Sequence, residues 1–258
     1  MNLGEQLNEL RFNVLRDRSD LIAGDSDSLW SDETLLLYIK DAERRFARQS
    51  LILRDSTTPQ ATQVRLKSGV QEYALHPSVI GVLSAQYTDP ISKTPYDLQR
   101  SGHALVTQAA PVEVTFFDPL NPYSSMLPPG APLAYFTDET LVYARQTRVT
   151  FNVYPIPSDN EDGQIVPLRV VRLPMTGYGR DCLDRESELP EDYQLDVLEW
   201  AAYRAQRTYD ADAGAPTSAD QHKAAFEDAV TQAKREAKRK MFVGTSIAYG
   251  ANGFSWTR

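Results

Sequence analysis

The sequence predicts an α+β protein: a helical bundle formed by the N- and C-terminal helices, with an inserted antiparallel β domain and an extended C-terminal arm. Three observations lead there. Apolar residues recur at helical spacing near both ends, the middle of the chain alternates at strand spacing between turn signals, and the last residues are aromatic and broken by glycine. The bundle is drawn at residues 1–55 and 188–241, the β domain at 56–187 and the arm at 242–258.

Leu3, Leu7, Leu10 and Val14 give a first short helix. Leu29-Trp30-Ser31-Asp32-Glu33 opens a second: Ser31 caps, the acids fill the first turn, and Trp30 staples onto Leu35. Its stripe is Leu35, Ile39, Ala42 and Phe46, with Lys40, Asp41, Glu43, Arg44, Arg45 and Arg48 on the outer face. Around residues 188–210, Pro190 suits a first helical turn, and Glu191 and Asp192 sit at the positive end of the helix dipole. Tyr193, Val197, Ala201, Ala205 and Tyr209 then follow at steps of four. The small alanines in that stripe allow a second backbone to come close. A last helix, capped by Thr217 or Ser218, carries Ala225, Phe226, Ala229, Ala233 and Ala237 and ends in a basic run at 234–240. That run is either a solvated helix end or a phosphate contact.

Between these helices the texture changes. Runs at 63–67 and 72–75 around Ser68-Gly69 read as a β-hairpin, and 79–87 reads as a buried strand. Further strands are expected at 133–137, 141–144, 149–154 and 165–173, separated by Asp138-Glu139, Gln146-Thr147 and the stretch from Asp159 to Gly163. The proline-rich stretch 111–130 reads as an irregular loop, and 175–188 as a polar return to the bundle. The arm carries Phe242, Tyr249, Phe254 and Trp256, spaced by Gly244, Gly250 and Gly253. A segment of this kind is costly to leave in water and too short for its own core, so it docks, either on its own subunit or on a neighbour.

Composition narrows the function. A chain of 258 residues with 41% hydrophobic and 24% charged residues builds an ordinary globular core. The single cysteine, Cys182, excludes an internal disulfide or thiolate cluster, and His76, His103 and His222 have no ligand spacing, so neither metal nor cofactor is expected. Asp181 and Asp184 beside Cys182 disfavour a reactive thiolate. No apolar run approaches the roughly 18–20 residues that span a bilayer, and the N-terminus lacks a secretory pattern, so no membrane association and synthesis in the cytosol are expected. A net charge of −8 argues against general affinity for nucleic acid. The chain has no Gly-x-Ser-x-Gly elbow, His-Glu-x-x-His or Walker loop, and Gly177-Tyr178-Gly179 reads as a plain turn because no strand and helix flank it.

Several segments taken together resemble a known family. They are Leu29-Trp30-Ser31-Asp32-Glu33, Asp41-Ala42-Glu43-Arg44-Arg45, Glu72-Tyr73-Ala74-Leu75-His76-Pro77-Ser78-Val79, Gly130-Ala131-Pro132-Leu133-Ala134-Tyr135, Tyr154-Pro155-Ile156-Pro157 and Leu189-Pro190-Glu191-Asp192-Tyr193. In this order and spacing, up to about residue 241, the chain resembles the head-to-tail adaptor (connector) proteins of short-tailed bacteriophages. The resemblance implies a non-enzymatic virion neck protein. It implies a homo-oligomeric ring of twelve copies under the portal protein, with tail or nozzle proteins below and DNA passing through the channel without specific binding. The 111–130 stretch is longer than the family pattern, and the arm has no family motif to map onto. The alternative reading is a tail-associated module that binds glycan or hydrolyses cell wall, with the β domain supplying aromatic platforms.

Overall fold

The structure, a computed structural model, describes residues 1–17, 29–101, 129–142, 146–209 and 216–242. Helices and largely antiparallel sheets occupy separate stretches of the chain, which is the α+β class. The chain divides into two compact units, Met1–Ile52 with Thr176–Arg258, and Leu53–Met175.

The first unit holds helices α1 (Leu3–Asn8), α2 (Asp32–Ser50), α4 (Asp196–Tyr209) and α5 (Pro216–Phe242). Asn2 starts α1 with a reciprocal capping box, its side chain accepting from Glu5 N–H while the Glu5 carboxylate accepts from Asn2 N–H. The remaining free N–H groups of that turn find carbonyls: Leu3 donates to Arg185 and Gly4 to Leu183. A π-helical turn, Glu9–Val14, continues α1. Ser31 caps α2 by accepting from Thr34 N–H at 3.3 Å, and Trp30 and Leu35 are both buried beside that cap. Leu51, in the left-handed region at φ 55°, ends α2.

Helix α2 runs antiparallel to α4, with Tyr38 near Thr208, Asp41 at Trp200 and Phe46 against Tyr193. The centre of the unit is aromatic. Phe46 meets Phe226 of α5 edge-on at 5.9 Å, and Trp200 lies 5.3 Å from the same ring. Ala201, Ala202 and Ala205 of α4 and Ala233 of α5 are fully buried, so small side chains let the helices close on this cluster. Leu7, Ile39 and Val197 are buried in this same unit.

Among the described residues the second unit contains nine strands and the short helix α3 (Pro59–Thr62). In one sheet β1 (Arg54–Asp55), β9 (Ile165–Arg172), β4 (Val79–Thr88) and β5 (Pro95–Asp97) follow in that order, and β2 (Gln63–Arg65) also pairs with β9. In the other the order is β3 (Glu72–Ala74), β8 (Gln146–Tyr154), β7 (Ala134–Val142) and β6 (Gln99–Arg100). Every ladder is antiparallel except β6 on β7. Both sheets feed one core: Val82, Leu168 and Val170 come from the first, Tyr135, Phe151 and Val153 from the second, and Tyr135 stacks on Phe151 at 5.3 Å.

Several local expectations are corrected. The runs 63–67 and 72–75 do not form a hairpin, because β2 pairs with β9 and β3 with β8. The turn between them is real, with Gly69 at φ 72°, but the two strands leave it for different sheets. Asp138-Glu139 and Gln146-Thr147 do not break strands; they lie within β7 and β8, whose ladder runs from Ala134↔Tyr154 to Val142↔Gln146. A single 3-10 turn, Glu191–Tyr193, precedes α4, which starts at Asp196 instead of Pro190. Ala225, placed in the buried stripe of the last helix, is exposed. The 111–130 stretch lies outside the described residues except at its last two positions.

Candidate assembly interface

Helical periodicity puts Glu43 on the outer face of α2, among charged neighbours. The structure buries it completely. Four donors from two segments, α1 and the 176–187 stretch, converge on its carboxylate. Gln6 Nε2 reaches Oε1 at 3.2 Å and Ser187 Oγ donates to the same oxygen at 2.7 Å. Tyr178 O–H donates to Oε2 at 2.5 Å, and Arg185 supplies an ion pair at 3.1 Å. The Arg185 guanidinium also lies 4.2 Å from the centre of the Tyr178 ring. A carboxylate stripped of water is tolerable only when its lone pairs are filled and its charge is balanced, and here both conditions are met. Burial first, then the charge and hydrogen bond of Glu43, push the Tyr178 phenol far above its ordinary range, so it stays a donor. Gly177-Tyr178-Gly179, read as a plain turn, therefore delivers the hydroxyl that closes this knot. Its one sequence signal was an aromatic with a polar tip between two glycines in a polar return.

A second charged layer lies on the α2–α4 seam. Asp41 accepts from Trp200 Nε1 at 2.8 Å and from Arg204 at 2.9 Å, and the Arg45 guanidinium covers the Trp200 ring at 3.9 Å. His222 pairs with Glu199 at 2.5 Å. These groups fix helix register and leave no cluster of His, Cys, Asp and Glu suited to a metal among the described residues. His76 is a local turn partner, 2.8 Å from Ser78 Oγ, and His103 lies outside the described residues. Cys182 is half-buried within a 3-10 turn. Among the described residues no helix is long and apolar enough to cross a membrane.

In the second unit Asp55 and Arg172 form a buried ion pair at 2.6 Å. Burial raises the Asp55 pKa, but hydrogen bonds from Thr58, Thr57 and Arg172 outweigh it and hold the carboxyl well below its usual range. A groove of about 370 Å³ opens beside β2 and β3, lined among others by Val64, Arg65, Lys67, Val70, Tyr73 and Leu75. Tyr73 O–H shapes its rim, accepting from Lys67 N–H at 3.0 Å and donating to the Val70 carbonyl at 2.7 Å. At the far tip of the sheet Ile91 is 84% exposed on a turn held by the Asp89 carboxylate, which accepts from Ile91 N–H and Ser92 O–H.

Of the docking residues singled out in the sequence, Phe242 is the last residue of α5 and its side chain lies outside the described set. Tyr249, Phe254 and Trp256 lie outside the described residues altogether.

Among the described residues, then, a saturated carboxylate ties the helical unit from within, and the β unit of this α+β protein leaves a sheet edge and a groove open. The chain belongs to the SU10 adaptor protein family, whose model matches residues 1–247. This is a family of phage head-to-tail adaptors, so the chain is a structural adaptor of a bacteriophage. No curated protein matches it.

Proposed function

We propose that the chain forms a ring of twelve copies below the portal in the neck of a short-tailed phage, joins the portal to tail components and continues the DNA channel. The observation that carries this reading is the family match over residues 1–247. Charge supports it: −8 per chain, repeated twelve times, gives on the order of −100, so the passing duplex is repelled and slides without sticking. The helices from both chain ends serve as the bundle that packs around the ring, the β unit is its inserted domain, and residues 242–258 act as the arm that latches copies or rings together. Phe242, Tyr249, Phe254 and Trp256 are the anchors of that arm. Sedimentation velocity of the purified chain, alone and with portal rings, tests the proposal. A slow species that moves into a portal-bound ring is the expected result; sedimentation unchanged by portal overturns it.

A further inference from the structure

Among the described residues the β unit has an open sheet edge at β3, beside its groove. Gln71 C=O accepts from Val153 N–H, and Leu75 N–H donates to Val149 C=O, at 3.1 and 3.0 Å. By antiparallel alternation the N–H and C=O groups of Glu72 and Ala74, between them, point away from β8. They carry no hydrogen bond to another described residue, and both residues are exposed. Glu72, Tyr73, Ala74 and Leu75 of this edge all line the groove, with Val64 and Val70 beside them, and Tyr73 and Leu75 share the face that packs on the core. An open edge next to a hollow in which Val64, Val70, Tyr73 and Leu75 stand among Arg65, Lys67 and Glu72 is the receptor geometry for an added strand.

The chain supplies a segment with matching chemistry. Immediately after α5, Val243, Thr245, Ile247 and Tyr249 alternate with Gly244, Ser246, Ala248 and Gly250. The odd positions are β-branched or aromatic, the residue types that favour strands, and the even positions are small. Eight residues in extended form cover about 27 Å at ~3.4 Å each, several times the length of β3. Seated on β3, the large side chains fall on the face of Tyr73 and Leu75, while the small ones fall on the face of Glu72 and Ala74.

We infer that residues 243–250 of one copy add as a strand to the β3 edge of a neighbouring copy, their β-branched and aromatic side chains filling the groove between β2 and β3. This rests on the ring reading above and names the receptor of the arm. Backbone pairing gives the affinity, and the two-residue alternation sets the register.

Cross-linking of full-length chains tests it. In a Cys182→Ser background, one tagged chain carries Ala74→Cys. A differently tagged chain carries Ser246→Cys or Ala248→Cys. The two are mixed, assembled with portal rings and mildly oxidised. A disulfide joining the two tags in the assembled ring is expected, with a yield that falls at least tenfold when Ile247→Asp is added to the arm. Rings that form without that disulfide, a cross-link confined to one chain when both cysteines share it, or a yield untouched by Ile247→Asp overturns the inference and leaves the ring reading standing. Failure to form rings with portal removes both.

Discussion

Glu43 and Arg185, 142 positions apart in the chain, meet at 3.1 Å in the interior of the first unit, with the guanidinium over the Tyr178 ring. That contact ties α2 to the 176–187 stretch, and Gln6 brings α1 to the same carboxylate. Removing one partner leaves the other charge buried and uncompensated. Glu43→Ala is therefore expected to lower unfolding stability by about 3–5 kcal/mol, read from denaturant midpoints. The double variant Glu43→Ala, Arg185→Met should cost less than the sum of its parts; strict additivity would mean that the pair is not coupled.

Acid acts on the second unit through Asp55. Its carboxyl ordinarily titrates near 3.8 and is held lower in the folded state, so the unfolded chain binds the proton first as pH falls. The stabilisation is complete above about pH 5, begins to fade as pH drops through the ordinary value, and is lost below the folded value. Hydrogen exchange of β9 amides between pH 6 and pH 3 should show this loss, and Asp55→Asn should flatten the profile. A profile identical in the variant contradicts the assignment.

Tyr87 is fully buried, and its hydroxyl has no hydrogen-bond partner among the described residues. Such a group is desolvated without return, so Tyr87→Phe is expected to leave stability unchanged or raise it by about 1 kcal/mol, visible as a higher midpoint in urea. A loss of more than that would reveal a partner for the hydroxyl.

Gly69 stands at φ 72° with open space where a Cβ would go. Gly69→Ala meets no clash, so any cost is conformational, about 1–2 kcal/mol. A neutral outcome in thermal melts would show that the turn into β3 relaxes freely.

How much of this was legible in the sequence follows from how local each signal is. Ser31, Asp32 and the stripe Leu35, Ile39, Ala42 and Phe46 act over one or two turns, and α2 starts and buries as they direct. Glu43 escaped because periodicity sorts residues by type: a carboxylate between Ala42 and Arg44 reads as solvent-facing unless its distant donors are known. Those donors, Tyr178, Arg185 and Ser187, sit in a stretch without periodicity of its own. The same limit misplaced the hairpin. Ser68-Gly69 encodes a turn correctly, but whether the flanking strands pair with each other is decided by β8 and β9, some 80–100 residues away. Asp138-Glu139 was read as a break because acidic pairs favour turns, whereas the long ladder of β7 on β8 overrides that propensity. The open edge at Glu72 and Ala74 is a property of sheet order, which no single run of residues encodes.

Truncation separates fold from docking. On the proposed reading residues 244–258 dock on a neighbour, so their deletion should leave the melting temperature within about 2 °C while association with portal is lost. A truncated chain that still assembles fully would rule out the arm as latch.

The central claim is that copies of this chain close into a ring in the neck of the particle, and a symmetric electron density map of intact virions measures it most directly. Twelve copies around an open channel, directly below the portal, with residues 243–250 lying across the neighbouring subunit, is the result predicted. A map that places the chain elsewhere in the particle, or as isolated copies bound to tail fibres or wall-degrading enzymes, would contradict it.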